Sequence, residues 1–360
     1  MIIFVVLTKN NPDYLAKCVQ HLNNQSCQDW TAIIFDTSDK EYIEKNKSIC
    51  SGEKFDYIDY ALRLGYAATN NAGIEMTRQN LACKFICLLN DDAYINENFV
   101  KDIFDYAERF PDAYAFSPLF IYANSPDKIQ KMGGGYFTNQ CPAGEEEIYH
   151  NILISEADIN ILESPRYLDF GYGAAITYRK EVFNKIGLLD PTYMHGFDEP
   201  DMAKRMIKND MKILYVPTIV HHVCGGSSLK KKWYNNLGPI LQMNRACLYF
   251  MLKHYPIEFV AAKEIERLKS FATKPKSLTI EIYSILWNML YAQQARMEYH
   301  DLYDPVEPTK FEKEELAKKG MPWKKPKKGP LKLRLLDFAV KYSLSICLIT
   351  FCLIIYLLGM

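Results

Sequence analysis

The chain has 360 residues, 49% of them apolar, and a formal net charge of zero. That length allows one large domain with appendages or two modest ones, and the apolar share suffices for a sizeable core. The balanced charge argues against a nucleic-acid partner, and ten scattered cysteines without a paired CxxC argue against a zinc ribbon. Several cysteines sit in apolar runs, such as Cys83 and Cys87, and read as small buried hydrophobes of a reducing compartment.

The apolar run Ile2 to Leu7 is too short for a signal peptide and reads as a strand buried on both faces, as in a parallel sheet. Pro12 suits a helix start, and Leu15, Val19 and Leu22 follow at helical spacing. A strand over 31–35 then ends at Asp36. Further strands are expected over 56–60 and 85–89, with a helix over 67–77 between them. The second of these strands ends in Asn90-Asp91-Asp92. Polar residues at the ends of strands in an open α/β sheet face the ligand crevice. A helix over 100–109 and a strand over 114–120 come next. Residues 125–164 read as an insertion or strand pair beside an acceptor site, with Glu145 to Glu147 in a solvated loop. A strand over 167–178, helices over 181–186 and 201–208 and a strand over 213–216 follow. Residues 217–228 read as a loop rich in His and Gly. The pattern is helical over 237–254, 258–270 and 278–299.

The tail differs in character. Residues 323–341 carry seven basic residues against Asp337, and 342–360 carry no charge. A membrane span needs about 20 apolar residues, and a basic flank marks the cytosolic side. The expectation is a single-pass C-terminal membrane anchor with the catalytic part on the cytosolic side.

Three clusters carry chemistry. Asn90-Asp91-Asp92 offers carboxylates that can hold Mg²⁺ or Mn²⁺ against a diphosphate, or an Asx turn capping the next helix. Asp198-Glu199-Pro200-Asp201 opens a helix, either as simple N-terminal acids or as a general base toward an acceptor hydroxyl. Packed acids would raise one pKa, which helps a base act near neutrality. His221-His222, followed by Gly225-Gly226-Ser227-Ser228, offers a metal ligand and a loop able to approach a phosphate, although paired histidines are more often structural. Arg205 reads as a salt-bridge partner of Asp201 one turn away.

In order, VVLTKNNPDYLAKCVQHLNNQ, IIFDTSD, LGYAATNNAGI, LLNDDAYI, GAAITYRKEVFNKIGLLDPTY with GFDEPDMAKRM, and YVPTIVHHVCGGSS resemble the glycosyltransferase family 2 enzymes of GT-A fold. The similarity runs over residues 2–228 and is greatest to the rhamnosyltransferase-like branch. The resemblance implies a Rossmann-like mixed α/β sheet flanked by helices, as a catalytic domain over 1–230. A helical extension over 231–322, a basic segment over 323–341 and a transmembrane helix over 342–360 would follow. It implies that Thr8, Asn10 and Asp36 border the base and ribose, and that Asn70 and Asn71 line the donor pocket, with Gly73 allowing close packing. Asp91 would lie near ribose or phosphate, Asp92 would bind the metal, and His222 or His221 would complete that site. Glu199 would stand at the catalytic acid position, flanked by Asp198. Two departures are visible. Asn90 opens the D-x-D-type motif, and Asp-Glu-Pro-Asp stands where the family has Glu-Asp-x-Asp, which leaves open whether Glu199 or Asp198 is the base.

The implied reaction is an inverting, metal-dependent transfer of a sugar, hexosyl or rhamnosyl in type, from a UDP- or dTDP-linked donor to a hydroxyl. The acceptor would be a membrane-associated or lipid-linked glycan. Two rivals stand beside it. A degenerate relative would bind nucleotide sugar without turnover. A sugar nucleotidyltransferase would need a Gly-rich, basic loop after the first strand, and TKNNPDY has none.

Overall fold

The computed structural model describes residues 1–60, 65–78, 80–138, 145–146, 149–193, 196–224 and 237–290. Outside the described residues lie His195, the Gly-Ser loop from Gly225 to Ser228, and the basic and uncharged parts of the tail from 323 onward. The anchor expected there is thus not described, and among the described residues no helix is long and apolar enough to cross a membrane. Contacts divide the chain into two units, Met1–Pro308 and Thr309–Met360, and every described residue belongs to the first.

The chain opens with β1 (Ile2–Thr8), α1 (Pro12–Asn23), β2 (Trp30–Asp36), α2 (Lys40–Ile49), β3 (Phe55–Asp59), α3 (Tyr66–Arg78) and β4 (Phe85–Asn90). The strands β3, β2, β1 and β4 lie side by side and parallel. Ile2 to Val6 are at most 3% exposed, as a strand covered on both faces requires. On one face α1 contributes Leu15, Cys18, Val19 and Leu22. On α3, Gly73 abuts β1 so closely that a Cβ would stand 2.4 Å from Val5 Cγ1, the close packing its position had suggested.

The second half is mixed. It comprises β5 (Ala93–Ile95), α4 (Phe99–Arg109), β6 (Ala113–Tyr122), β7 (Ser125–Met132), β8 (Gly134–Tyr136), β9 (Glu145–Glu146) and β10 (His150–Leu153). Then come α5 (Ile159–Leu162), β11 (Arg166–Leu168), β12 (Phe170–Gly171), β13 (Ala175–Arg179), α6 (Glu181–Ile186), α7 (Asp198–Ile207) and β14 (Lys212–His222). Strand β13 pairs antiparallel with β4 and extends the sheet to β6, β7 and β10, while β14 runs parallel to β6 and pairs with β5 and β11. A small sheet, β12-β8-β9, stands beside it.

Two expectations are corrected here. The strand expected over 167–178 is three short ones, because the chain leaves the main sheet at Phe170–Gly171 to pair with β8. The loop expected over 217–228 is strand as far as His222. Pro217 cannot donate to a ladder, and it sits inside the register shift between Val216 and Ile219, after which pairing with β6 resumes.

Three helices follow: α8 (Leu237–His254), α9 (Ile257–Phe271) and α10 (Pro275–Leu290). Tyr249, Phe250 and Met251 of α8 pack with Tyr193 and Val260 in a second apolar cluster. Between α9 and α10 the buried Glu264 and Glu281 flank Arg267, whose Nη2 lies 2.7 Å from Glu281 Oε2. Burial, and then the hydrogen bond and charge of Glu281, push the Glu264 carboxyl up to about 8. A carboxyl raised in the folded state stabilises it fully below its ordinary value of 4.5, and loses that contribution as pH rises through about 8. Urea midpoints measured across that window should therefore fall with rising pH in the wild type, and Glu264→Gln should flatten the decline.

Candidate active site

The carboxyl ends of β1, β2 and β4 form one corner. Thr8 ends β1 and donates its hydroxyl to Asp91 Oδ2 at 2.7 Å. Burial lifts Asp91 to about 7. The Thr8 hydrogen bond opposes this, and the Asp92 charge adds to it. Asp36 ends β2 and is fully buried. Its Oδ1 accepts the Ser38 N–H (2.8 Å), and its Oδ2 accepts Asn46 Nδ2 (2.8 Å) and the Tyr57 hydroxyl (2.6 Å). Asn10 has φ +56° and ties the two loops together. Its Oδ1 accepts the Asp39 N–H, its Nδ2 donates to Asp39 Oδ2, and its N–H donates to Ser38 Oγ. Asp36 and Asn10 thus brace the rim of this corner through bonds within the protein.

The two asparagines of α3 differ. Asn71 spends both ends of its amide on Leu189, donating Nδ2–H to its carbonyl and accepting its N–H. It pins the chain ahead of the acidic helix. Asn70 donates to the Tyr66 carbonyl, and its Oδ1 is buried without a hydrogen-bond partner. An orphaned buried acceptor at this place is a group a bound donor molecule can satisfy.

The histidines separate by strand alternation, which sends successive side chains to opposite faces. His222 is 4% exposed, and its Nε2 lies 3.3 Å from Asp92 Oδ1. His221 turns to the other face, beside His21 and Tyr94 of a separate cavity, and does not join Asp92. Burial and then the neighbouring His21 lower its pKa. On the Asp92 side, the Nδ1 of His222 is 2.9 Å from Gln130 Oε1, on β7. With Nδ1–H donating to that oxygen, the Nε2 lone pair is turned toward Asp92.

A divalent ion fits this pair. Neighbouring donors that each stand about 2.1 Å from one ion are roughly 3 Å apart. No group of three His, Cys, Asp or Glu side chains able to hold an ion occurs among the described residues. Two protein donors, with phosphate and water oxygens filling the remaining positions, is the usual manner of Mg²⁺ sites.

The acidic helix α7 begins abruptly. Gly196 (φ +73°) and Phe197 (φ +70°) are both left-handed, and for a bulky residue this is strained, of order 1–3 kcal/mol. The Phe197 ring packs on Phe250 of α8, with centroids 5.6 Å apart, which helps to hold it. Asp198 is 3% exposed and its Oδ2 has no partner. Burial, then the charge of Glu199, raise its pKa well above the carboxylate range, and it shares a hydrogen bond with Glu199. Burial and the neighbouring Glu199 thus favour the protonated form of Asp198. Glu199 is the more exposed of the two, and its Oε1 occupies the place where a Cβ on Gly173 would stand.

The two halves of the site meet in the segment 172–174. The Tyr172 ring stands edge-on to His222, centroids 5.9 Å apart. Gly173 abuts Glu199, and its carbonyl accepts the Tyr66 hydroxyl at 2.7 Å. The Ala174 carbonyl accepts the Asn90 N–H at 2.9 Å. Consecutive Cα atoms are 3.8 Å apart, so the short strip 172–174 sets the Tyr172 ring against His222 and the Gly173 backbone against Glu199.

Behind α7 lies an ion network. Lys253 of α8 reaches Asp190 Oδ2 and Asp201 Oδ1, both at 2.7 Å, and both aspartates are 0% exposed. Asp201 also holds Arg205 Nε at 2.9 Å, the helix salt bridge that spacing suggested, and His254 Nε2 at 2.8 Å. Burial pushes the Asp201 carboxyl up, but Lys253, Arg205 and His254 outweigh it and hold it well below the usual range. Burial lowers His254 to about 4 against the opposing pull of Asp201. That fits a neutral ring donating from Nε2 while Nδ1 accepts Lys208 Nζ at 3.3 Å. Gln130, Tyr172 and Lys253 carry no sequence motif, and Gly173 opens the segment GAAITYRK without standing out in it. The only hint for Gln130 was that 125–164 would flank the site.

A model of the family described as Glycosyl transferase family 2 matches residues 3–187. A curated relative, the low-salt glycan biosynthesis hexosyltransferase Agl10 of Haloferax volcanii, is 21% identical over 164 residues, 46% of this chain. The match covers 50% of the relative, so the chain spans about half the length of the curated protein it matches. Among solved structures, GalNAc-T7 with UDP, GalNAc and Mn²⁺ superposes with a TM-score of 0.57 at 15% identity, covering 88% of this chain and 56% of that one. That likeness extends the mixed, helix-flanked α/β sheet of GT-A type to this chain as a fold. Because the family model spans more than half of the 360 residues, the chain belongs to glycosyl transferase family 2.

Proposed function

We propose that the chain is an inverting, metal-dependent glycosyltransferase that moves a hexosyl unit from a UDP- or dTDP-linked donor to an acceptor hydroxyl. The observation that carries this reading is the strip 172–174, where the Tyr172 ring meets His222, the neighbour of Asp92, and Gly173 abuts Glu199. Asp92 and His222 would hold Mn²⁺ or Mg²⁺, and such an ion, when bound, neutralises the charge of a leaving diphosphate. Thr8 and Asp91 stand at the strand ends beside it, and Asn70 offers its unpartnered Oδ1. Asp36, Asn10 and Asn71 act through the loops that they hold.

Glu199 is the general base in this reading. It removes the proton from the acceptor hydroxyl as that oxygen attacks the anomeric carbon from the face opposite the leaving group. Asp198, protonated, hydrogen-bonds Glu199 and keeps a second negative charge out of the site. The fold relative was solved with UDP and Mn²⁺, ligands of the classes assigned here. Nucleotide release from a panel of UDP-, dTDP- and GDP-sugars, with Mn²⁺ and with chelator, tests the proposal. Donor binding without turnover across the panel would favour the degenerate reading instead.

Gln130 orients the metal ligand. Gln130→Leu removes the acceptor for His222 Nδ1–H and should weaken metal affinity about 10- to 100-fold, read by Mn²⁺ titration of turnover or of protein fluorescence. On the sequence alone we also assign the uncharged segment 342–360 to a membrane, with 323–341 against anionic head groups and a membrane-borne acceptor. A chain ending at Pro322 should then fail to float with vesicles that carry the full chain.

A further inference from the structure

One phenol ties the helix that carries Asn70 to the backbone beside Glu199. Tyr66 opens α3, and its hydroxyl crosses to the strip 172–174. There it donates to the Gly173 carbonyl at 2.7 Å, a bond between residues 107 apart in the chain. Gly173 is the residue against which Glu199 rests, since Oε1, Cδ and Cγ of the glutamate all crowd the place of the absent Cβ. On its other side, Tyr66 accepts Asn70 Nδ2–H at its own carbonyl, at 3.1 Å. One residue thus bonds to the donor wall through its main chain and to the support of Glu199 through its side chain.

The neighbours of Gly173 are tied elsewhere. The Tyr172 N–H donates to Ser117 Oγ at 3.2 Å, and the Ala174 carbonyl accepts the Asn90 N–H at 2.9 Å. At Gly173, which has no side chain of its own, the Tyr66 hydroxyl fixes where the carbonyl points. Burial, then the charges of Glu199 and Asp198, push the Tyr66 phenol well above its ordinary pKa. The ring therefore lies in the field of the acid pair, and its O–H remains a donor at any pH where a carboxylate base works. The donor is spent on the peptide, so its hold on Glu199 is exerted through Gly173.

We propose that Tyr66 is a positioning residue for the proton transfer, setting the aim of Glu199 through the Gly173 carbonyl. The inference rests on the reading of Glu199 as the base. Loss of one such hydrogen bond is worth roughly tenfold in an equilibrium, and a misplacement of about 1 Å near a reacting group can cost about 10²-fold in rate.

Steady-state nucleotide release by full-chain variants, at saturating Mn²⁺, tests it. Tyr66→Phe should lower kcat about tenfold or more and leave the donor KM within about twofold. Glu199→Gln already lacks the group being aimed, so adding Tyr66→Phe to it should cost nothing further. Gly173→Ala puts a methyl where Glu199 Oε1 stands and should lower kcat in the same manner. Tyr215→Phe is the control. It removes a comparable bond, from hydroxyl to the Leu162 carbonyl at 2.8 Å, and should lower the urea midpoint as Tyr66→Phe does while keeping kcat. An unchanged kcat in Tyr66→Phe or in Gly173→Ala overturns the inference, and so does a Tyr66→Phe loss that multiplies with that of Glu199→Gln. The transferase reading survives these results. A wild type without turnover across the donor panel sinks that reading instead, and this inference with it.

Discussion

Glu199→Gln should lower turnover about 10²- to 10⁴-fold at saturating donor and metal, the range for removing a general base. Donor affinity should hardly change, because the substitution leaves Asp92, His222 and the strand-end corner untouched. Asp198→Asn should keep most of the activity. Its carboxyl is buried and its pKa is driven upward by burial and by Glu199, so an amide of nearly the same volume stands in for the protonated acid and still donates a hydrogen bond toward Glu199. The contrast between the two variants decides the base. If Asp198→Asn is inactive while Glu199→Gln still turns over, the roles are exchanged. Circular dichroism and donor binding on both variants separate a chemical effect from a folding one.

Lys253→Met should destabilise the fold by about 3–5 kcal/mol, read from urea unfolding, because it strips a shared cation from two fully buried carboxylates. Arg205, His254 and Tyr249 remain, but none of them bridges Asp190 and Asp201 as the ammonium does. The pH dependence has a definite sign. A depressed aspartate pKa stabilises the folded state fully above the ordinary value of 3.8, and that contribution is lost as pH falls through the lower folded value. Without Lys253 the depression shrinks, so the acid-unfolding midpoint should rise in the variant. Equal urea and acid midpoints for variant and wild type would show the bridge to be peripheral.

Much of the frame was legible where one physical signal dominated. Continuous apolar runs located β1, β2 and β4, and α6 falls on the expected residues 181–186. Helix α2 escaped notice because Asn46 is its only buried residue, so it has no apolar stripe to read. The reach of β14 was hidden by Pro217, a loop signal that here marks an irregularity within a strand. Motif order nominated Asp92, His222, Asp198 and Glu199 as site residues. It did not reveal that Asp36 and Asn71 spend their polar groups on their own loops, since a motif names a position and not its partners. Gln130 and Lys253 act across 92 residues to His222 and 63 residues to Asp190. Pairings of that kind exist only after the chain has folded.

Gly173 has a consequence of its own. On that side the carboxylate of Glu199 rests against bare peptide, so its aim is set by main-chain placement and not by the size or chemistry of an adjoining side chain. If Glu199 is the base proposed above, the surrounding residues can vary to suit different incoming alcohols while that carboxylate stays where it is. Tailoring of preference is thereby uncoupled from reactivity, and the uncoupling rests on the one position in that strip that has no side chain to alter.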